Sequence, residues 1–223
     1  MKKARRTRLM QLPVAIFFIL VAGIIAVGFY YHAKQVKSAK GTEYNNLAAI
    51  ADLKAGQITR WREERRGDAL SIQNSTAIAH SVKNYFENKS QKVRLNRWLQ
   101  SLCRSNGYSS ATLFDTKGDI RSSYGRDAKK IGPSEHKIIQ DVIKRRGYIL
   151  SDIYTSQVTK TASINLVAPL ILWEQKERPL VGVFLFRIDP HQDFYPLIQS
   201  WPTPSPTAET IILRLEGNEV IHL

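Results

Sequence analysis

The stretch PVAIFFILVAGIIAVGFYY, Pro13–Tyr31, runs nineteen residues without a charge, and Leu12 lengthens the apolar run by one. At ~1.5 Å of rise per residue, about 20 apolar residues cross a hydrocarbon core of ~30 Å. A backbone in lipid satisfies its own hydrogen bonds, so the run is expected to be helical. Tyr30 and Tyr31 stand at its outer end, where amphipathic rings favour the headgroup level. Lys2, Lys3, Arg5, Arg6 and Arg8 precede the run; Lys34, Lys37 and Lys40 follow it more sparsely, with no acid before Glu43. That asymmetry predicts a cytoplasmic N-terminus and places the bulk of the chain outside. A cleaved signal peptide would carry an apolar region of ~7–15 residues ending in small side chains. This run is longer and ends in aromatics, which favours an uncleaved anchor.

The 223 residues carry a formal net charge of +14, and eight of the cations lie in residues 1–40, beside the membrane segment. Beyond them the signs are mixed. Glu63, Glu64 and Asp68 alternate with Arg60, Arg62, Arg65 and Arg66, the pattern of a solvated helix face rather than a phosphate track. A nucleic-acid partner is therefore not expected. Cys103 is the single cysteine, so neither an intramolecular disulfide nor a thiolate zinc cluster can form.

Working outward, residues 33–69 read as a long helix with a narrow stripe of Leu47, Ile50, Leu53, Ile58 and Trp61. Such a helix packs on its own domain or on a second copy of itself. Ile78, Val82, Tyr85 and Phe86 mark a second helix, capped by Ser75 or Thr76; Leu95, Trp98, Leu99, Leu102 and Cys103 mark a third, ended by Gly107. The period then changes. Ala111–Phe114 and Asp119–Tyr124 read as strands about a turn, and Pro133–Arg146 as a helix with Ser134 near its cap and Gly147 closing it. Three strands follow: Tyr148–Ile153, Ala162–Leu172 and Leu180–Ile188, the last two a hairpin. The expected fold is α+β, a five-stranded antiparallel sheet with the N-terminal helices on one face and a pocket under the cover of the other. A short helix, His191–Ser200, and the proline-rich residues 201–206 lead to a hairpin over residues 209–223. A hairpin without a sheet to join is marginal in water, so a longer natural chain is expected.

The segments LFDTKGDI (113–120), SDIYTS (151–156), INLVAPLI (164–171) and VGVFLFRID (181–189), in this order after an anchor and a long helix, resemble Cache domains. These are PAS-like extracytoplasmic ligand sensors of bacterial receptors. LAAIADLKAGQITRWREERRGDA (47–69) resembles the first helix of double-Cache sensors in histidine kinases and diguanylate cyclases. The resemblance implies a cytoplasmic tail (1–11), a transmembrane anchor (12–31) and a long extracytoplasmic helix (32–74). It further implies a membrane-distal sensor module (75–190), a short helix and linker (191–206) and the start of a second module (207–223). It places the chain in the bacterial inner membrane as the sensing region of a homodimeric receptor whose output domain is absent from this sequence.

Catalysis finds little support. His80 is followed by Ser-Val-Lys, unlike a phosphoacceptor box, and neither a Gly-Gly-Asp-Glu-Phe run nor a glycine-rich phosphate loop occurs. His191 with Asp189 and Asp193 is the nearest approach to a metal cluster, at a strand-to-helix junction where Asp193 suits a helix start. No cofactor is called for. By the resemblance, Tyr124, Asp152, Tyr154, Asn165 and Arg187 match pocket-lining positions. Amino-acid-binding relatives carry aspartates where this chain has Ser156 and Arg187, so an α-amino group loses its counter-charges. Arg187 suits a small carboxylate instead. The alternative is a membrane-anchored structural or interaction protein that assembles through its long helix as a coiled coil.

Overall fold

The computed structural model describes residues 3–88, 92–202, 210–217 and 219–222; the linker expected at 201–206 lies largely outside them. The chain divides into two units, Met1–Leu53 and Lys54–Leu223. Helix α1, Lys3–Gln73, belongs to both and continues through Gly41 and Gly56. In the first unit Phe17, Phe18, Ile24, Phe29 and Tyr44 are all exposed. From Phe17 onward, α1 contains an 18-residue window of mean hydropathy 1.6, long and apolar enough to cross a membrane.

The second unit is built around a sheet. Its strands are β1 (Ser110–Phe114), β2 (Ile120–Gly125), β3 (Ile149–Leu150), β4 (Tyr154–Thr155), β5 (Ala162–Ile171) and β6 (Leu180–Ile188). The order is β2-β1-β6-β5-β3, with β4 pairing β5 off this path and every pairing antiparallel. Of the expected strand Tyr148–Ile153 only Ile149–Leu150 forms, and β4 lies beyond it. The cause is local: the Ser151 hydroxyl accepts the Asn165 N–H at 2.8 Å, supplanting a backbone acceptor and breaking the ladder.

Because successive strand side chains alternate, β5 and β6 are buried on both faces. Ile164, Leu166, Ala168, Leu170, Phe184, Phe186 and Ile188 form one core with α1, α2 (Thr76–Asn88) and α3 (Lys92–Asn106). Val167, Val183, Leu185 and Phe114 form a smaller core with Ile139 and Val142 of α4 (Pro133–Arg145). Ser75 caps α2 as expected, its hydroxyl accepting the Ile78 N–H at 3.4 Å, and Gly107 (φ 73) ends α3. The ends of α4 differ from expectation. Gly132 is its N-cap, with its N–H donated to the Glu135 carboxylate, and Arg146 (φ 55), not Gly147, takes the left-handed C-cap.

Helix α1 packs through Trp61, Ala69 and Ile72, with Arg65 buried between them. The Arg65 guanidinium lies 5.3 Å from the Tyr108 ring centroid and donates to the Asn106 carbonyl at 2.7 Å. The same helix grips α5 (Phe194–Gln199), shorter than the expected 191–200. Lys54 donates to the Leu197 carbonyl at 3.0 Å and to both oxygens of Ser200. Trp61 donates its indole N–H to Asp193 at 2.9 Å and sets its ring 5.0 Å from that of Phe194. Asp193 is the N-cap residue of α5, but its side chain serves Trp61 instead of the helix. The final hairpin, β7 (Leu213–Glu216) and β8 (Glu219–His222), turns at Gly217.

Cys103 sits 4 % exposed in the larger core, and burial pushes its thiol up to about 11. A protonated, enclosed thiol is a poor nucleophile. Folded protein at pH 8 is therefore expected to resist a maleimide that labels it promptly in denaturant. Equal labelling rates in the two states would contradict the packing of α3.

Candidate ligand-binding site

Toward one end, the α4-facing side of the sheet changes from apolar to polar. Ser110 of β1 pairs with Arg187 of β6, and Arg187 pairs with Asn165 of β5, so the three form a row across the sheet. Ser163 lies one pleat along β5 on the same face. All four are at least nine-tenths buried, and each keeps one polar atom without a protein partner: Ser110 Oγ, Ser163 Oγ, Asn165 Oδ1 and Arg187 Nε. An unmade buried hydrogen bond costs about 1–3 kcal/mol. Four of them on one face describe a site built to meet something polar.

Around this row a network closes. Arg187 donates from Nη1 to the Asp127 carbonyl at 2.9 Å and from Nη2 to the Lys130 carbonyl at 3.0 Å, fixing the loop after β2. That loop starts at Gly125 (φ 97), where a Cβ would lie 2.4 Å from the Ser109 carbonyl oxygen, so only glycine fits. Glu135, at the start of α4, accepts from Tyr154 Oη at 2.8 Å, Ser156 Oγ at 3.1 Å and Arg187 Nη2 at 3.5 Å. Asn165 Nδ2 in turn donates to Tyr154 Oη at 2.5 Å. Burial first, and then the hydrogen bond to Glu135, push the Tyr154 phenol well above its ordinary value, so it remains a donor.

Beside the network opens a cleft of about 390 Å³ whose walls include Arg187, Ser163, Arg126, Lys160, Asp189 and His191. Arg126 and Lys160 are exposed at its lips. Asp127 pairs with Lys130 at 2.9 Å, and this hydrogen bond chiefly holds its carboxyl below the usual range. Asp189 accepts the His191 N–H at 3.0 Å. Among the described residues, no three His, Cys, Asp or Glu side chains cluster to hold a metal ion.

Of the residues singled out in the sequence, Tyr154, Asn165 and Arg187 come together here. Asp152 is exposed and outside the network, and its carbonyl accepts from Ser151. Tyr124 pairs with Ala111 and packs against the larger core, on the opposite face of the sheet. Sequence reading missed Glu135, Ser110 and Ser163. A signal existed for the serines: Ser110-x-Thr112 and Ser163-x-Asn165 are polar at alternate positions of otherwise apolar strands.

No protein-family model matches the chain, and no curated protein matches it significantly. Solved structures do. The sensory domain of the Campylobacter jejuni chemoreceptor Tlp3 superposes with a TM-score of 0.58 at 14 % identity, over 83 % of this chain and 73 % of that one. Its ligand-binding domain in complex with 4-methylisoleucine gives 0.53 at 12 %, over 77 % and 81 %. The sensor domain of the V. cholerae histidine kinase DctB gives 0.50 at 12 %, over 71 % and 59 %. The chain shares the fold of these sensory and ligand-binding domains. Within this fold the polar row lies at one end of the central sheet, between the loop after β2 and the loop joining β4 to β5. The two loops belong to segments far apart in sequence, and Arg187 and Ser156 tie them to one carboxylate.

Proposed function

We propose that the chain is the extracytoplasmic sensing region of a membrane-anchored bacterial receptor that binds a small organic carboxylate in the cleft beside Arg187. The observation that carries this reading is the row Ser110–Arg187–Asn165 with Ser163, four buried side chains with unused polar atoms, of which Arg187 and Ser163 reach the wall of an open cleft. Arg126 and Lys160 at the lips favour an anion. The amino-acid ligand of the Campylobacter structure supports a small solute as the class of ligand. The apolar part of α1 supports an anchor in the inner membrane, with a cytoplasmic N-terminus by the positive-inside bias. Dimerisation through the exposed stripe of α1, including Leu47 and Leu53, completes the reading.

A thermal-shift screen of the full chain in detergent, against organic acids and amino acids, tests it. The expected result is a saturable rise in Tm with at least one carboxylate. Ser163→Ala removes one hydroxyl from the cleft wall and is expected to weaken that ligand several-fold. Should the whole panel leave Tm unmoved, the carboxylate reading is wrong.

A further inference from the structure

We propose that Glu135 is a resident carboxylate, seated where the ligand's carboxylate binds, so that the protein carries its own competitor on α4. This rests on the reading of the cleft as a carboxylate site. Glu135 is 1 % exposed, and four donors meet its two oxygens. A guanidinium, a phenol and a hydroxyl reach Oε1 from Arg187, Tyr154 and Ser156, and the Gly132 N–H reaches Oε2 at 3.1 Å. A guanidinium, hydroxyls and a backbone amide aimed at one carboxylate are what recognition of a bound carboxylate requires. Here the chain supplies that anion itself.

The geometry also gives an incoming anion a foothold. The contact from Arg187 is the longest of the four, 3.5 Å, while Arg187 Nε has no partner and the residue lines the cleft. A carboxylate that enters beside Arg187 therefore finds one buried donor, Nε, that no other group uses. Displacing Glu135 also disturbs its surroundings. A Cβ on Gly132 would lie 2.9 Å from Glu135 Oε2 and 2.9 Å from Val158 Cγ2, so carboxylate, helix start and the 157–160 loop are in close contact. Ligand exchange at this point moves the start of α4 against that loop.

Capping of α4 by Glu135 is the rival role, and acetate separates the two. Glu135→Ala removes the tethered carboxylate and leaves its donors facing a space that acetate fits. In the full chain in detergent, at constant ionic strength, this variant is expected to show a saturable rise in Tm with sodium acetate and none with chloride. Acetate should bind it at least about tenfold tighter than it binds the parent protein. Glu135→Gln keeps the space filled and should not respond; Glu135→Ala combined with Arg187→Ala should lose the response. If Glu135→Ala does not fold in chloride, recovery of folded protein in acetate supports the proposal, and failure in both salts while Glu135→Gln folds overturns it. Acetate binding to Glu135→Ala no tighter than to the parent overturns it as well. If the parent binds a carboxylate from the screen and Glu135→Ala gains nothing for acetate, the competitor is refuted and the cleft reading stands. If the parent binds none and Glu135→Ala takes up acetate, the donor set is confirmed and the ligand reading falls.

Discussion

Replacing Arg187 by Ala is expected to lower the free energy of unfolding by about 3–5 kcal/mol, the usual result of removing one partner from a buried ion pair. Arg187 is 5 % exposed, so solvent does not screen what it leaves behind. The Asp127 and Lys130 carbonyls would lose their donors, and Glu135 would keep a buried charge without a cation. Arg187→Lys restores the charge without the fork that spans both carbonyls, so it should recover only part of the loss. Denaturant titration of the full chain in detergent, followed by tryptophan fluorescence, measures both variants. A change below about 1 kcal/mol for Arg187→Ala would mean that the network is dispensable and that the loop after β2 is held by something else.

A second large effect is expected far from the cleft. Phe184→Ala should cost about 3–5 kcal/mol, as large-to-small changes at fully buried aromatics do. Phe184 is 0 % exposed, with its ring centroid 5.3 Å from that of Trp98 and 5.6 Å from that of Phe186. Its strand is central, so the cavity would open between the sheet and α3, where neighbours on both sides are held in place. The same denaturant titration reads this loss. A cost near that of an exposed substitution, about 0.5 kcal/mol, would contradict the packing of α3 on β6.

The two substitutions also show what was legible in the sequence. Phe184 belongs to a nearly unbroken β-branched and aromatic run, the mark of a strand buried on both faces, and that composition located β5 and β6 to within a residue. Helices α2 and α3 were equally legible, because their apolar residues repeat at three and four and Ser75 and Gly107 mark a start and a stop. Short elements were not. Tyr148–Ile153 reads as one strand, and a single hydroxyl, that of Ser151, divides it from β4. Glu135 escaped notice because three of its four donors are tertiary and only the Gly132 N–H is local. It is one acid on a helix of mixed charge, until folding brings Tyr154, Ser156 and Arg187 to it. Tyr124 shows the opposite error: resemblance places it in the pocket, whereas its β-sheet register turns it to the other face.

One short run of backbone has two duties. Arg187, Asp189 and His191 are part of the cleft wall, and Asp193, six residues beyond Arg187, is bonded to Trp61 of α1. Six residues span at most ~20 Å even when fully drawn out, and this stretch includes Pro190, whose ring locks one torsion. Lys54 fastens the far end of α5 to the same helix. Wall and helix thus share one short piece of backbone, which carries Arg187 at one end and the anchor of Trp61 at the other.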